Sequence, residues 1–517
     1  MLNRFNNDIA LRAAGTENGF GERREHAGSS DPDRKFLLLT TSLLVDRVFQ
    51  QTDLIPQLKK VGEVAIWASS EDNEHYSNVW SDTGVTVERF PVVGAFREIP
   101  HNFLRRVNEY AWDYRYCPPS RLSMMRHVRN KNQHTLVKAL KIPGRLAAFL
   151  RAEKQLEKRL EKLLLNYPRS PEAENRLRDL RPDVMLATGP FQFEQPGVFA
   201  AARKLGIPTL AYIPSWDNIS TKARMVFDYD GYVVWSEQEK KELHDAYPLS
   251  RKRPVYVCGA PQYDIFFQTR FHRSRTDFCA TQGLDPKLPI IVYAIGSPNF
   301  LKEHYGAIDL AKQVEHGALG DVQMIVRPHP IHDNAEMQEM FKGFSRVTLQ
   351  SSPNAGKELT QRSQDASQLI EWVNTFRHAD VVVNLSSTVT IDAAIFDRPI
   401  VNLDFDPQPG KQDQQLIKDV NHSWTHFKPI AESGGVWLVN DLDEMIEAIH
   451  AYLRDPSLHR AERRSIAEYV CGHLDGRSGE RMAHSIIDFA RKASGDPRKL
   501  SNTPVVSDGD LRSVASA

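Results

Sequence analysis

Short apolar runs recur along the chain from about residue 35, and most are followed by a stretch whose apolar residues fall at helical spacing. Residues 36–40, 63–68, 85–90, 183–188, 208–213, 231–235 and 255–258 read as strands. They are short and lack strict alternation, the pattern of parallel strands covered on both faces. A second series follows at 290–295, 321–327, 380–385, 399–403 and 436–439. Two successive β/α series predict an α/β protein of two doubly wound, Rossmann-like domains, with a ligand in the cleft between them. From 97 to 167 the pattern changes to charged helices, which predicts a helical insertion in the first domain. The expected boundaries are a disordered leader over 1–34, a first domain over 35–267, a linker over 268–287, a second domain over 288–472, a closing helix over 473–492 and a flexible tail over 493–517.

Composition narrows the functional classes. The 517 residues hold 66 basic and 66 acidic side chains, a balance that argues against a nucleic-acid partner. Cys117, Cys258, Cys279 and Cys471 lie far apart with no CxxC pair, so a reducing, cytoplasmic setting is expected. No run approaches the ~18 apolar residues of a membrane span, and the leader has no apolar signal region. The insertion breaks the charge balance. Residues 97–162 carry sixteen basic against six acidic side chains, interleaved with Tyr110, Trp112, Tyr114 and Tyr116. Such helices suit the anionic inner face of a membrane, which makes that surface an expected partner. The alternative is a solvated face with i,i+4 pairs, Glu157 and Glu161 lying near Lys154 and Lys158.

Three strand-to-turn segments in the second series carry candidate chemistry. Arg327-Pro328-His329-Pro330 follows a strand directly; the Arg and His can neutralise phosphate oxygens, and His can protonate a departing phosphate. Asn384-Leu385-Ser386-Ser387-Thr388 opens a helix, where hydroxyls and free amides either cap the helix or bind phosphate. Asp392, one turn on, can reach a ribose hydroxyl. Gly296 and Ser297 end a third strand, and Gly296 lets backbone approach a ligand closely. All three turns are expected on one edge of one sheet, as a nucleotide-diphosphate pocket. His329 and His332 sit three apart without a carboxylate partner, a poor zinc pattern.

These segments, with Gly259-Ala260-Pro261-Gln262-Tyr263-Asp264 and Asp475-Gly476-Arg477-Ser478-Gly479-Glu480-Arg481, resemble GT-B glycosyltransferases of bacterial surface polysaccharides. The relatives meant are capsule glycosyltransferases, Kdo transferases and teichoic-acid-type glycerophosphotransferases. The resemblance implies an acceptor-binding first domain, a nucleotide-sugar-binding second domain and a final helix that crosses back to the first. It implies that His329 assists departure of the donor phosphate, that Ser386, Ser387 and Thr388 bind the phosphates, and that Asp392 takes the ribose. No cofactor and no catalytic metal are expected, the nucleotide sugar being a substrate. The first domain should supply a general base for the acceptor hydroxyl. Asp217, in the loop after strand 208–213, is the first candidate and Glu194 the second; Asp46 is weaker. Trp216 is the expected acceptor-stacking platform. The function implied is transfer of a sugar from a nucleotide donor to a surface-polysaccharide or lipid-linked glycan. A hydrolysing sugar-nucleotide epimerase and a non-catalytic nucleotide-sugar-binding scaffold are the rivals.

Overall fold

A computed structural model describes residues 34–68, 84–91, 99–116, 118–127, 135–166, 170–191, 195–225, 227–355 and 365–495. The expected leader up to residue 33 and the tail beyond 495 lie outside the described residues.

Seven parallel strands form the first sheet: β1 (Arg34–Thr40), β2 (Gly62–Ala68), β3 (Thr86–Arg89), β4 (Val184–Ala187), β5 (Thr209–Tyr212), β6 (Gly231–Val234) and β7 (Val255–Val257), in the order β3-β2-β1-β4-β5-β6-β7. The second sheet holds β8 (Ile290–Ala294), β9 (Gln323–Arg327), β10 (Val347–Leu349), β11 (Val381–Asn384), β12 (Ile400–Leu403) and β13 (Trp437–Val439), in the order β10-β9-β8-β11-β12-β13. Its strands are also parallel. Leu37, Leu38 and Leu39 of β1 and Val381, Val382 and Val383 of β11 are wholly buried, because helices cover both faces of each sheet. The chain therefore builds two Rossmann-like domains, the GT-B plan. Strand order reverses between β1 and β4 and again between β8 and β11, and in such sheets the crevice at the reversal is where ligands bind.

Helix α1 (Leu43–Gln51) follows β1, and the insertion between β3 and β4 folds as α2 (Ile99–Tyr116), α3 (Pro119–His127), α4 (Thr135–Ala139), α5 (Lys141–Phe149) and α6 (Glu153–Asn166). Two acids of α6 reach outside the insertion to the rest of the first domain, while Glu153 pairs with Arg115 of α2 at 3.7 Å. Glu157 meets Arg224 at 2.7 Å and Glu161 meets Arg203 at 2.9 Å, which ties α6 to that domain. Gly144 of α5 lies directly on Tyr110 of α2, where any Cβ would collide. At the other end α3 reaches the second domain. Ser123 donates to Asp419 at 2.8 Å, His127 lies 3.3 Å from the same carboxylate, and Ser120 accepts from the Thr425 amide at 2.7 Å.

The short helix α7 (Asn218–Thr221) follows the β5 loop, and α8 (Arg275–Gln282) occupies the stretch expected to be a linker. That stretch is structured because Ser274 caps α8, Gly283 ends it in a left-handed turn, and Arg275 bonds the Leu288 carbonyl and Asp380, at 2.8 and 2.9 Å. In the second domain α9 (His304–Glu315) follows β8, α10 (Val389–Ile395) follows β11, and α11 (Gln414–His422) follows β12. The last helix, α12 (Ser478–Gly495), lies on the first domain: Tyr256 donates to Asp488 at 2.7 Å and Arg34 to Ser494 at 3.0 Å. Its start is clasped by Asp264, which accepts from the Ser478 and Gly479 amides at 3.0 and 2.7 Å. Two of the segments singled out in the sequence thus meet to hold the final helix. Burial raises the Asp264 carboxyl to about 6 despite those bonds.

Candidate functional site

A cleft of about 370 Å³ opens where the two sheets face each other. From the second domain it is lined by Gly296, Ser297 and Glu303 after β8 and by Leu385, Ser386, Ser387 and Thr388 after β11. These are the two strands flanking the reversal of order. Register places Ala294, Arg327 and Asn384 side by side at the strand ends, so the turns at 296, 329 and 386 leave the same edge of the sheet.

Each turn is held differently. Ser386 takes a left-handed backbone at φ 49, a strained state for a residue with a Cβ. It is fixed by a bond from its hydroxyl to the Asn421 side-chain oxygen. Asn421 in turn donates to Asp404 at 2.9 Å, and Lys418 and His422 reach that carboxylate at 2.6 and 2.8 Å. Burial pushes Asp404 up, but these donors outweigh it and hold it below the ordinary carboxylate range. Ser387 accepts from the Val389 amide at 3.3 Å and donates to Asn384 at 3.2 Å, so it caps α10. Thr388 is exposed and its side chain caps nothing.

Glu303, which the sequence did not single out, joins the two turns. Its carboxylate accepts from the Gly296 amide at 2.6 Å and the Leu385 amide at 2.5 Å. A Cβ on residue 296 would sit 2.6 Å from the Glu303 oxygen, which explains the glycine. Gln195 plays the matching part at the reversal of the first sheet, accepting from the Thr188 and Gly189 amides at 2.9 and 2.8 Å and donating to Thr41 at 2.7 Å. Burial raises Glu303 from 4.5 to about 7, and the two amides only partly counter it. The folded protein therefore binds a proton here that the unfolded chain releases near 4.5. The stability linked to that proton is full below about 4.5 and is lost as pH rises through about 7. Relative to Glu303→Gln, the native chain should lose roughly 3 kcal/mol between those limits. Urea unfolding of both proteins at pH 5 and 8 measures it; parallel pH profiles would refute it.

The first domain supplies Trp216, Asp217, Thr221 and Lys222, and α3 of the insertion adds Met124. Trp216 packs edge-on against His426 of the second domain, with ring centroids 4.9 Å apart. Asp217 accepts from Ser215 at 2.6 Å, Asn218 at 3.0 Å and Thr221 at 3.0 Å. Burial alone would raise its pKa; attraction to His426 and Lys222 and the donated bonds outweigh it, and the carboxyl lies below its usual value. Burial drives His426 down to about 4. At neutral pH that ring is uncharged, and Lys222 with the hydrogen bonds maintains the Asp217 charge.

Several expected site residues are placed elsewhere. Arg327 turns from the cleft to Gln350 and Glu371, at 2.9 and 3.4 Å. Asp392 is buried beneath it, accepting from Trp372 at 3.1 Å. Arg47 stacks on that indole at 4.3 Å, so the Asp392 carboxylate faces an Arg–Trp pair and is not part of the cleft wall. Burial lifts Asp392 to about 6. His329 stands at the correct edge, half-buried, but is not part of the cleft wall. Its Nδ1 accepts from the Ile331 amide at 3.2 Å, which places the neutral ring's proton on Nε2. Asp46 is buried and bonded by Thr40 at 2.5 Å, a contact from the end of β1 to the first turn of α1. Glu194 lies outside the described residues.

Solved structures of related overall shape include the S. aureus MnaA–UDP complex, at 11% identity over 89% of this chain and 97% of that one, TM-score 0.49. A Neisseria meningitidis UDP-GlcNAc 2-epimerase bound to UDP-GlcNAc follows at 12% identity, 88% and 100% coverage and TM-score 0.48. Acinetobacter baumannii MurG matches at 11% identity, 89% and 99% coverage and TM-score 0.39. No curated protein matches the chain in sequence. One family model does, over residues 201–488. That span exceeds half of the chain and contains the β8 and β11 turns with Glu303, and by it the chain belongs to the CDP-glycerol:poly(glycerophosphate) glycerophosphotransferase family.

Proposed function

We propose that this protein is a transferase that moves a sugar from a nucleotide-activated donor to the hydroxyl of a surface-polysaccharide or lipid-linked glycan. The observation that carries the reading is the cleft at the β8/β11 reversal, where the Gly296–Ser297 and Ser386–Thr388 turns face Asp217 across the domain boundary. Donor phosphates are assigned to the second-domain turns, at the start of α10 beside the exposed Thr388 hydroxyl, a helix end that favours anions. His329 stands beside them as the group that donates a proton to the departing phosphate. The acceptor enters beside Trp216, and Asp217 receives its hydroxyl proton as oxygen attacks.

The family match favours a second reading of the group transferred. With CDP-glycerol as donor, the acceptor oxygen would attack the phosphorus bearing glycerol, the bond to the CMP phosphate would break, and glycerol phosphate would move. The two readings differ in the donor and in the group moved: a nucleotide sugar loses its sugar and releases a nucleoside diphosphate or monophosphate, whereas CDP-glycerol loses glycerol phosphate and releases CMP. Thermal shift over UDP, GDP, CMP, CDP and dTDP, followed by assay of the released nucleotide from each donor, tests both. A true ligand at 100-fold above its dissociation constant adds about 2.7 kcal/mol; if no nucleotide stabilises the protein, both readings fail.

Thr388→Ala should raise the dissociation constant of that nucleotide about ten-fold, the worth of one hydrogen bond to a charged group. Because the Thr388 hydroxyl caps nothing, the melting temperature should not change. Titration calorimetry showing unaltered affinity would remove Thr388 from the donor site.

A further inference from the structure

Helix α5 is oriented against the ordinary rule. Its small residues Gly144 and Ala148 are buried toward the protein, while Ile142, Leu146, Phe149 and the following Leu150 are 75%, 57%, 83% and 63% exposed. Positions i, i+4, i+7 and i+8 share one helical face, so these four side chains form a single outward apolar stripe. Phe103 on α2, the helix beneath, is exposed as well, and together they are five of the seven large apolar side chains exposed among the described residues. A soluble surface rarely concentrates them so. Rotating α5 by half a turn would bury the stripe, but Gly144 is needed where α5 crosses Tyr110. The stripe is bordered by exposed Arg145 on the same helix and by exposed Arg151 and Lys154 just beyond it.

We propose that the α5 stripe is a docking surface for an anionic lipid bilayer, with Leu146 and Phe149 entering the acyl boundary and Arg145 and Arg151 at the lipid phosphates. Charge complementarity selects this occupant. An apolar face flanked by cations is the pattern of a helix lying in the plane of a membrane interface, and basic side chains are drawn to anionic headgroups. A second copy of the chain would bring the same cations against each other. The insertion that carries α5 also carries α3, whose Met124 lines the cleft, so docking would place the acceptor side of the site near lipid. Lipid binding is read without turnover, and its outcome is independent of the reaction assigned above.

The test is co-sedimentation of the full chain with vesicles of phosphatidylcholine, with and without phosphatidylglycerol, at low and high salt. The native protein should bind anionic vesicles, and more weakly at high salt because screening shortens the reach of the charges to a few ångströms. Leu146→Ser with Phe149→Ser should reduce partitioning at least about ten-fold, from the apolar area lost. Arg145→Gln with Arg151→Gln should abolish the preference for phosphatidylglycerol. Circular dichroism and melting should be unchanged, since every altered side chain is exposed. Absence of binding by the native protein, or native-like binding by the Ser pair, overturns the proposal. A dimer in sedimentation velocity that the Ser pair converts to monomer also overturns it, because the stripe would then be a self-association face.

Discussion

Replacing Asp217 with Asn should lower turnover by about 10²- to 10⁴-fold, the contribution of a positioned general base, and leave nucleotide affinity unchanged. The substitution preserves shape. The remaining oxygen still accepts from Ser215 and Asn218, and the Thr221 hydroxyl can reverse to accept from the new amide. The fold should therefore survive, and the loss would be chemical. The pH dependence separates this carboxylate from its neighbour in the cleft. Asp217 is held below its usual value by charges and hydrogen bonds that outweigh burial, so it stays ionised through neutrality, and its acid limb lies under the ordinary carboxylate range. Glu303 is raised to about 7. A native rate profile falling with an apparent pKa near neutrality, together with near-native activity of the Asn variant, would transfer the role from Asp217 to Glu303.

The strand pattern was legible because parallel strands buried on both faces must be apolar along their whole length. Twelve runs read from the sequence correspond to strands, and the one missed, β10, is half-buried at the edge of its sheet with no continuous apolar run to betray it. The turns at Gly296 and Ser386 were legible for the same reason: strand ends locate the ligand edge without knowledge of side-chain direction. Direction is what the sequence withheld. Arg327 and Asp392 have the correct chemistry at the correct edge, yet the structure uses them to pair with Glu371 and Trp372. Glu303 and Gln195 were invisible because each ties the amides of a nearby turn to a distant segment, at the Leu385 amide and the Thr41 hydroxyl. A buried acid at the start of a helix after a glycine turn is the only local trace. The Gly259–Asp264 and Asp475–Arg481 segments carried the family resemblance and the expectation of a helix crossing back, and the structure shows a clasp between them.

Replacing Arg121 with Ala should cost about 3–5 kcal/mol, the effect of breaking a buried ion pair from one side. Arg121 and Asp113 are fully buried and Glu109 nearly so. The guanidinium donates to Asp113 through two nitrogens, one of them at 2.8 Å, and to Glu109 at 2.9 Å. Burial would lower its pKa, but the two carboxylates outweigh that and raise it. Alanine would strip both buried acids of the guanidinium they share, leaving Glu109 to the partly exposed Arg106 at 3.1 Å, and lysine, a point charge, cannot serve both in the same planar geometry. The damage should be regional. Arg121 fixes α3 to α2, and α3 spans to Asp419 and Thr425 in the second domain, so hydrogen exchange should accelerate first in α2 and α3 while the second sheet stays protected. Because α3 brings Met124 to the cleft, acceptor KM should rise more than nucleotide affinity falls. The triple change Arg121→Met, Asp113→Leu and Glu109→Leu removes all three charges together. It should restore most of the stability, as apolar substitutes for buried ion pairs do. If Arg121→Ala alone melts with the native protein, these charges do not hold the insertion, and the contacts of α6 with Arg203 and Arg224 must carry it.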